Sequence, residues 1–231
     1  MTFLELCQKT RRECGVQGSN TPTAVTSQSG LLQRIVEWVQ DADLWVQRLY
    51  PDWSFLWSEH TVDTVSGSAS LTQPTDLGVW DTGSFGKDRG TADGMSMTVM
   101  DFRTWRSDFY TKSNEEPSQV VIKPDNTIIL PAPADGVYEI YGNYWAKPTK
   151  MTGNTDEPLY AEEFQRIIIA KAKMWFFADS EMANLYQIEE KEITEINNEY
   201  TGLLDQMRAR YLPDNQQLFL NSPEEMVVRP V

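Results

Sequence analysis

The chain has a single histidine, two cysteines and, across its 231 residues, no apolar run of about 18 that would read as a membrane span. Each shortage removes a class of function. Nucleophilic relays need a basic partner beside a Ser or Cys. Here the one imidazole, His60, lies in a strand-like stretch, and no G-x-S-x-G pattern occurs. A zinc site needs about four soft ligands, and Cys7, Cys14 and His60 do not supply them. Cys7 and Cys14 are seven apart, which on one helix means ~10 Å of rise, too far for a disulfide. They read as small buried hydrophobes in a reducing cell. The opening Met-Thr-Phe-Leu-Glu-Leu has no basic leader, so no secretory signal is expected. No catalytic residue, cofactor or metal is expected.

Basic residues are scarce too: 20 Lys and Arg face 34 Asp and Glu, for a net charge of −14. Binding nucleic acid by counterion release requires clustered Lys and Arg. The acid surplus has two readings. It can serve solubility alone, or it can form the wall of a ring through which DNA slides without sticking. The hydrophobic fraction of 40% and eight Trp argue against disorder and allow one large domain or two small ones.

Helical periodicity dominates both ends. Thr2 and Glu5 form a capping box ahead of a first helix with Phe3, Leu4, Cys7 and Cys14 on its apolar side, ended by Gly15. A second helix is predicted from about Ser29 to Tyr50, stopped by Pro51. It carries two stripes: Leu32, Ile35, Val36, Val39, Val46 and Leu49, and then Leu31, Trp38 and Trp45 at sevenfold spacing. A helix this apolar is buried on two sides, either at the centre of its own domain or with the tryptophan stripe against a neighbouring copy. A third helix runs from about Tyr160 to Phe177, with Phe164, Ile167, Ile168, Ala172, Trp175 and Phe176 inside. After a break near Asp179-Ser180, an acidic rod is predicted from Met182 to Tyr211, about thirty residues and roughly 45 Å long. Its seam is Tyr186, Ile193, Ile196, Tyr200, Leu203 and Met207, and its surface acids include Glu190, Glu192, Glu195 and Glu199. Pro213 ends the rod. An Asn, Gln and Pro-rich tail follows, bearing Leu218-Phe219-Leu220 and Met226-Val227-Val228-Arg229, and it would span up to ~60 Å if extended.

Between Glu59 and Trp145 the helical spacing disappears. Strands are predicted at His60–Val65, Met95–Val99, Gln119–Ile122, Thr127–Leu130 and Val137–Tyr144, with a turn at Pro124-Asp125-Asn126 and a short helix at Asp101–Arg106. Gly83–Gly90 lacks the G-K-[ST] ending of a phosphate loop and reads as a flexible tip whose Lys87 and Arg89 could meet an acidic neighbour or DNA. The carboxylate pairs Asp76/Asp81 and Asp88/Asp93 fit chance in so acidic a chain better than a glycosidase or calcium site. Trp80, Trp105 and Tyr110 fit either a small β core or stacking on sugars or bases. Lys147–Pro158 reads as a linker. The expected fold class is α+β: an antiparallel helical bundle from residues 1–58 and 147–211, a mainly β insertion at 59–146, and an extended C-terminal docking tail at 212–231.

Several segments, in order, resemble the head-to-tail adaptor (connector) family of short-tailed bacteriophages. They are Thr2–Leu6 with Arg11, Glu13 and Gly15; Arg34–Val39; Pro51–Leu56; Ile128–Ile140; Tyr144–Pro148; and Phe164–Ala172. The likeness covers most of residues 1–178 and rests on segment order more than on any one motif. The resemblance implies a virion structural protein at the head–tail junction, assembled in the host cytoplasm and without catalysis. It implies a ring of about twelve copies under the portal protein, with downstream tail or nozzle proteins below and double-stranded DNA passing through unbound. Within such a ring, the spare apolar stripe Leu31, Trp38 and Trp45 is expected to meet the next copy, and the rod acids Glu190, Glu192, Glu195 and Glu199 to face the channel, with the outside of the ring as the rod's alternative place. Leu218, Phe219, Leu220, Met226, Val227, Val228 and Arg229 are expected to dock on the portal. Two alternatives stay open: a carbohydrate-binding or carbohydrate-cleaving accessory protein using the aromatic β module, and a stopper that seals the channel.

Overall fold

The computed structural model describes residues 1–16, 21–91, 94–108 and 113–212. In chain order the elements are α1 (Phe3–Glu13), α2 (Gly30–Arg48), β1 (Trp57–Asp63), β2 (Leu77–Trp80), β3 (Gly86–Lys87), β4 (Met95–Ser96), β5 (Thr98–Met100), α3 (Phe102–Asp108), β6 (Gln119–Ile122), β7 (Ile128–Ile129), β8 (Glu139–Ala146), α4 (Arg166–Ala178), α5 (Ser180–Tyr186) and α6 (Glu190–Tyr211). The fold is α+β. The chain divides into two compact units, Met1–Phe55 with everything from Pro148 onward, and Leu56–Lys147. Tyr110, Asp93 and the whole tail segment from Pro213, with Leu218, Phe219, Leu220, Met226, Val227, Val228 and Arg229, lie outside the described residues.

In the helical unit α4 is the hub, touching α1, α2, α5 and α6. Its Ile167, Ile168, Ile169, Ala170, Ala172, Phe176 and Phe177 are all buried, so nearly its whole circumference is covered. Helix α2 runs antiparallel to it. Arg34, near the start of α2, pairs with Asp179 just past the end of α4, while Trp45, near the end of α2, meets Trp175 and Lys171. Helix α1 starts as its sequence dictates: the Glu5 amide donates to Thr2 Oγ1 at 3.3 Å and the Thr2 amide to Glu5 Oε2 at 2.8 Å. It buries Phe3, Leu6 and Cys7, with Leu4 half-buried, and Gly15 leaves the helix with φ +67°. Both cysteines are free and buried, and burial pushes each thiol up to about 12. The end of α6 is pinned by an aromatic nest. The fully buried Trp53 donates Nε1–H to Val46 O at 2.9 Å and packs on Tyr50, Phe55 and Tyr211.

Two expectations for this unit need correction. The acidic rod is not one helix. Gln187 adopts a left-handed conformation, φ +51°, splitting α5 from α6. The break lets both Tyr186 and Ile188 pack on the cluster around Phe176, which an unbroken helix would send to different faces. Helix α6 itself has 22 residues, about 33 Å. Its buried seam is Ile196, Leu204 and Met207, with Tyr200 and Leu203 half-buried and Ile193 at 37% exposure. The linker after Lys147 is a strap bonded to α1 and α2. Gln47 clamps Thr149 through both amide groups, at 2.8 and 3.0 Å, and the Phe3 amide donates to Asp156 O at 2.7 Å.

In the β unit, β8 is the spine. It pairs antiparallel with β1 along one side, from Trp57↔Trp145 to Asp63↔Glu139, and with β2 and β3 on the other. A second sheet has the order β5-β6-β7, parallel then antiparallel. The β6–β7 turn forms where Pro124-Asp125-Asn126 requires it, with Asn126 at φ +66°. The core gathers Trp80, Phe85, Met97, Val120, Leu130, Ile140 and Tyr144.

The Gly83–Gly90 segment is not a flexible tip. Gly86–Lys87 is strand β3 within the sheet. Glycine is required on each side of this pairing: a Cβ at Gly86 would sit 2.2 Å from Tyr141 Oη, and one at Gly142 would sit 2.6 Å from the Phe85 ring. Lys87 is fully buried, resting on Tyr138 and paired with Glu116, so it meets neither DNA nor a neighbour. Arg89 lies 4.1 Å over the Tyr141 ring and bonds both oxygens of Glu59 at 3.0 Å.

Candidate assembly interface

The residues singled out for chemistry turn out to hold turns and edges. Asp81 accepts from the Gly83 amide, Asp88 from the Glu139 amide, and Asp76 from Tyr144 Oη–H. His60 donates Nε2–H to Thr72 O at 2.8 Å. Trp80 is buried in the β core with its Nε1–H on Asn126 O, and half-buried Trp105 stacks on Phe102 and donates Nε1–H to Pro131 O. Among the described residues, no group of three or more His, Cys, Asp or Glu is placed to hold a metal ion. No described helix is long and apolar enough to cross a membrane.

The tryptophan stripe of α2 divides. Leu31 and Trp38 pack inside the unit against the cluster of α4 and α6. Trp38 meets Phe176 edge-on at 5.9 Å and carries the Arg34 guanidinium at 5.4 Å. Trp45 keeps 45% of its surface exposed. It is nonetheless fixed, because its Nε1–H donates to Tyr200 Oη at 3.2 Å and its ring stands nearly perpendicular to Trp175 at 6.5 Å. Beneath it the Lys171 ammonium lies 4.6, 5.0 and 5.5 Å from the centroids of Trp45, Tyr200 and Trp175. Desolvation holds this lysine below the ordinary lysine range.

The four predicted channel acids also divide. Glu190, Glu192 and Glu195 are exposed on the first turns of α6. Glu199 is half-buried and accepts from Arg166 Nε at 2.6 Å; Arg166 also pairs with Glu13.

A pair of apolar side chains stands out of the β unit where β1 and β8 end together. Val65 is 65% exposed and Val137 70%. The backbone around them is tied: Thr64 Oγ1–H donates to Gly136 O at 3.0 Å, the Tyr138 amide donates to Thr64 Oγ1 at 2.9 Å, and the Gly67 amide donates to Ala134 O at 2.7 Å. Sequence reading missed this tip. Its signal was two valines, each flanking a turn.

Surfaces of this kind, ordered and apolar with no catalytic constellation behind them, are what a joining protein needs. The profile of the SU10 adaptor protein family matches residues 1–216. The chain belongs to this family of phage head–tail adaptors. No curated protein matches it. Membership makes the adaptor a structural protein of the virion, non-enzymatic, that binds other virion components. The stretch carrying the match reaches past the end of α6 to residue 216.

Proposed function

We propose that this adaptor closes into a ring beneath the portal and passes double-stranded DNA through its centre, the helical unit making the ring. The observation that carries the reading is Trp45: an indole held by a hydrogen bond yet 45% exposed, on a helix whose other apolar residues are buried or half-buried within the chain. A large aromatic kept ordered at the surface is a typical anchor of a protein interface. A cyclic head-to-tail ring needs one such surface on one flank and a different one on the other. The exposed acids Glu190 and Glu192 suit a wall that repels phosphate; Glu195 is exposed but pairs with Lys191 at 3.5 Å, and Glu199 is half-buried against Arg166. The Val65/Val137 tip suits the contact with downstream tail proteins. The segment from Pro213, with its two apolar clusters Leu218–Leu220 and Met226–Val228, is the portal-docking element.

Trp45→Glu tests the ring. The variant is expected to melt as a folded protein yet fail to form rings on its own or on isolated portal, as read by analytical ultracentrifugation and electron microscopy. Normal rings from Trp45→Glu would refute the assignment of that surface. Deleting residues 215–231 is expected to abolish portal binding, and undiminished binding would refute the docking role.

A further inference from the structure

Among the described residues, most half-buried bases of the helical unit have a carboxylate; Lys9 and Lys171 do not, and of these two only Lys171 is held against aromatic rings. Arg166 has Glu13 and Glu199, Lys173 has Glu13 at 3.6 Å, Arg34 has Asp179 and Glu181, and Arg208 has Asp205 at 3.1 Å. Among the described residues no carboxylate pairs with Lys171, in a chain where acids outnumber bases 34 to 20. Its ammonium is held against three aromatic rings, and the recess opens to solvent beside Trp45. The ring faces offset part of the lost hydration but leave the charge uncompensated. We propose that the recess formed by Trp45, Lys171, Trp175 and Tyr200 is the seat for a carboxylate side chain of the next copy of this chain. The proposal rests on the ring reading and deepens it by naming what Trp45's surface receives.

Charge complementarity selects the occupant. A second copy of a chain with net charge −14 brings exposed carboxylates in abundance, Glu162 and Glu163 among them. A DNA phosphate would have to approach one cation through the field of the whole acidic surface. An ion pair closed over a partly desolvated lysine gains more than one at the open surface, and the indole edge of Trp45 shields it from water. The contact is directional: the seat lies on α2, α4 and α6 of one copy, and the carboxylate comes from a different surface of the next. That difference is what head-to-tail closure requires.

The test couples lysine to carboxylate without a spacer. Rings assembled from an equal mixture of isotopically heavy and light chains, alone or on isolated portal, are treated with a carbodiimide and mapped by mass spectrometry. The expected product joins Lys171 to an Asp or Glu peptide and carries both isotopic labels. In parallel, Lys171→Met, which keeps the stem in the aromatic recess, is expected to raise the concentration needed for assembly about tenfold, and Lys171→Arg to restore most of it. The seat is overturned if Lys171 in intact rings stays uncoupled, couples only within its own chain or couples to portal, or if Lys171→Met assembles like the parent; in each case the ring reading survives. If the parent chain forms no ring alone or on portal, the ring reading falls and the seat with it. Circular dichroism melts of both variants separate a lost contact from a lost fold.

Discussion

Asp43 offers a quantitative check on the helical unit. It lies on α2, fully buried, and accepts from Tyr160 Oη–H at 3.1 Å and from Gln47 Nε2–H at 2.7 Å. Burial raises its carboxyl from 3.8 to about 6, and the two hydrogen bonds oppose that rise only in part. The folded state therefore holds the proton more tightly than the unfolded chain. The stability this group contributes is full below its unfolded value and is lost as pH rises through the folded one. Its whole range is about 3 kcal/mol, of which about 1 kcal/mol falls between pH 5 and pH 7. Asp43→Asn removes the titration. It keeps an oxygen for Gln47 Nε2–H only by turning its amide nitrogen toward Tyr160, whose Oη–H then loses its acceptor, so the variant is destabilised at every pH by roughly 1–3 kcal/mol. That offset cancels when each protein is compared with itself. Urea denaturation followed by tryptophan fluorescence at pH 5 and pH 7 should show the parent gaining about 1 kcal/mol more than the variant on acidification. Parallel pH responses would show that Asp43 is not buried as described.

Gly142→Ala should destabilise the β unit by about 1–3 kcal/mol in thermal melts, because the new methyl meets the Phe85 ring at 2.6 Å; an unchanged melt would refute the packing of β3 on β8. Lys87→Met should leave stability within about 1 kcal/mol of the parent, since the exposed Glu116 returns to water, whereas Glu116→Ala should cost more by stranding a buried cation. The reverse order would contradict the assignment. Thr2→Ala should cost about 1 kcal/mol by uncapping α1, measured as a shift in urea midpoint. Native protein at pH 8 should show almost no reaction of Cys7 and Cys14 with a disulfide reagent, both thiols being pushed up to about 12, and full reaction after unfolding. Prompt labelling of either in the native state would place it outside the core.

The sequence made legible whatever depends on near neighbours in the chain. The Thr2/Glu5 box, the end of α2 before Pro51, the Pro124–Asn126 turn and the long strand of β8 all follow from spacing and turn chemistry. Features set by distant neighbours were hidden. Gly86–Lys87 resembles a loop because only Tyr141, more than fifty residues away in the chain and opposite it on β8, shows why glycine is needed there. Gln187 carries no breaker signal, and the turn exists because Tyr186 and Ile188 share a pocket made by α4. In the candidate interface, Trp45 was visible as one of two tryptophans seven residues apart, in line with Leu31. That Leu31 and Trp38 turn inward while Trp45 stays exposed over Lys171 depends on where α4 and α6 lie.

The proposed seat and the proposed ring together make a prediction about dosage. In a head-to-tail contact each junction uses one seat from one copy and one carboxylate from the next, so a copy lacking Lys171 spoils one junction and leaves its other flank competent. Were the contact two-fold and self-complementary, each junction would use two seats. Mixing parent and Lys171→Met chains in equal amounts separates the cases. With a head-to-tail contact about half of the junctions stay fully intact, and with a two-fold contact about a quarter. The quantity to read is the fraction of junctions with every seat intact, because a ring with no spoiled junction needs all its copies to be parent in either case. Counted by crosslink and native mass spectrometry of the mixed rings, that fraction should fall in proportion to the parent fraction. A fall following its square would show that two seats share one junction across a two-fold axis, which a closed ring of identical head-to-tail contacts does not contain.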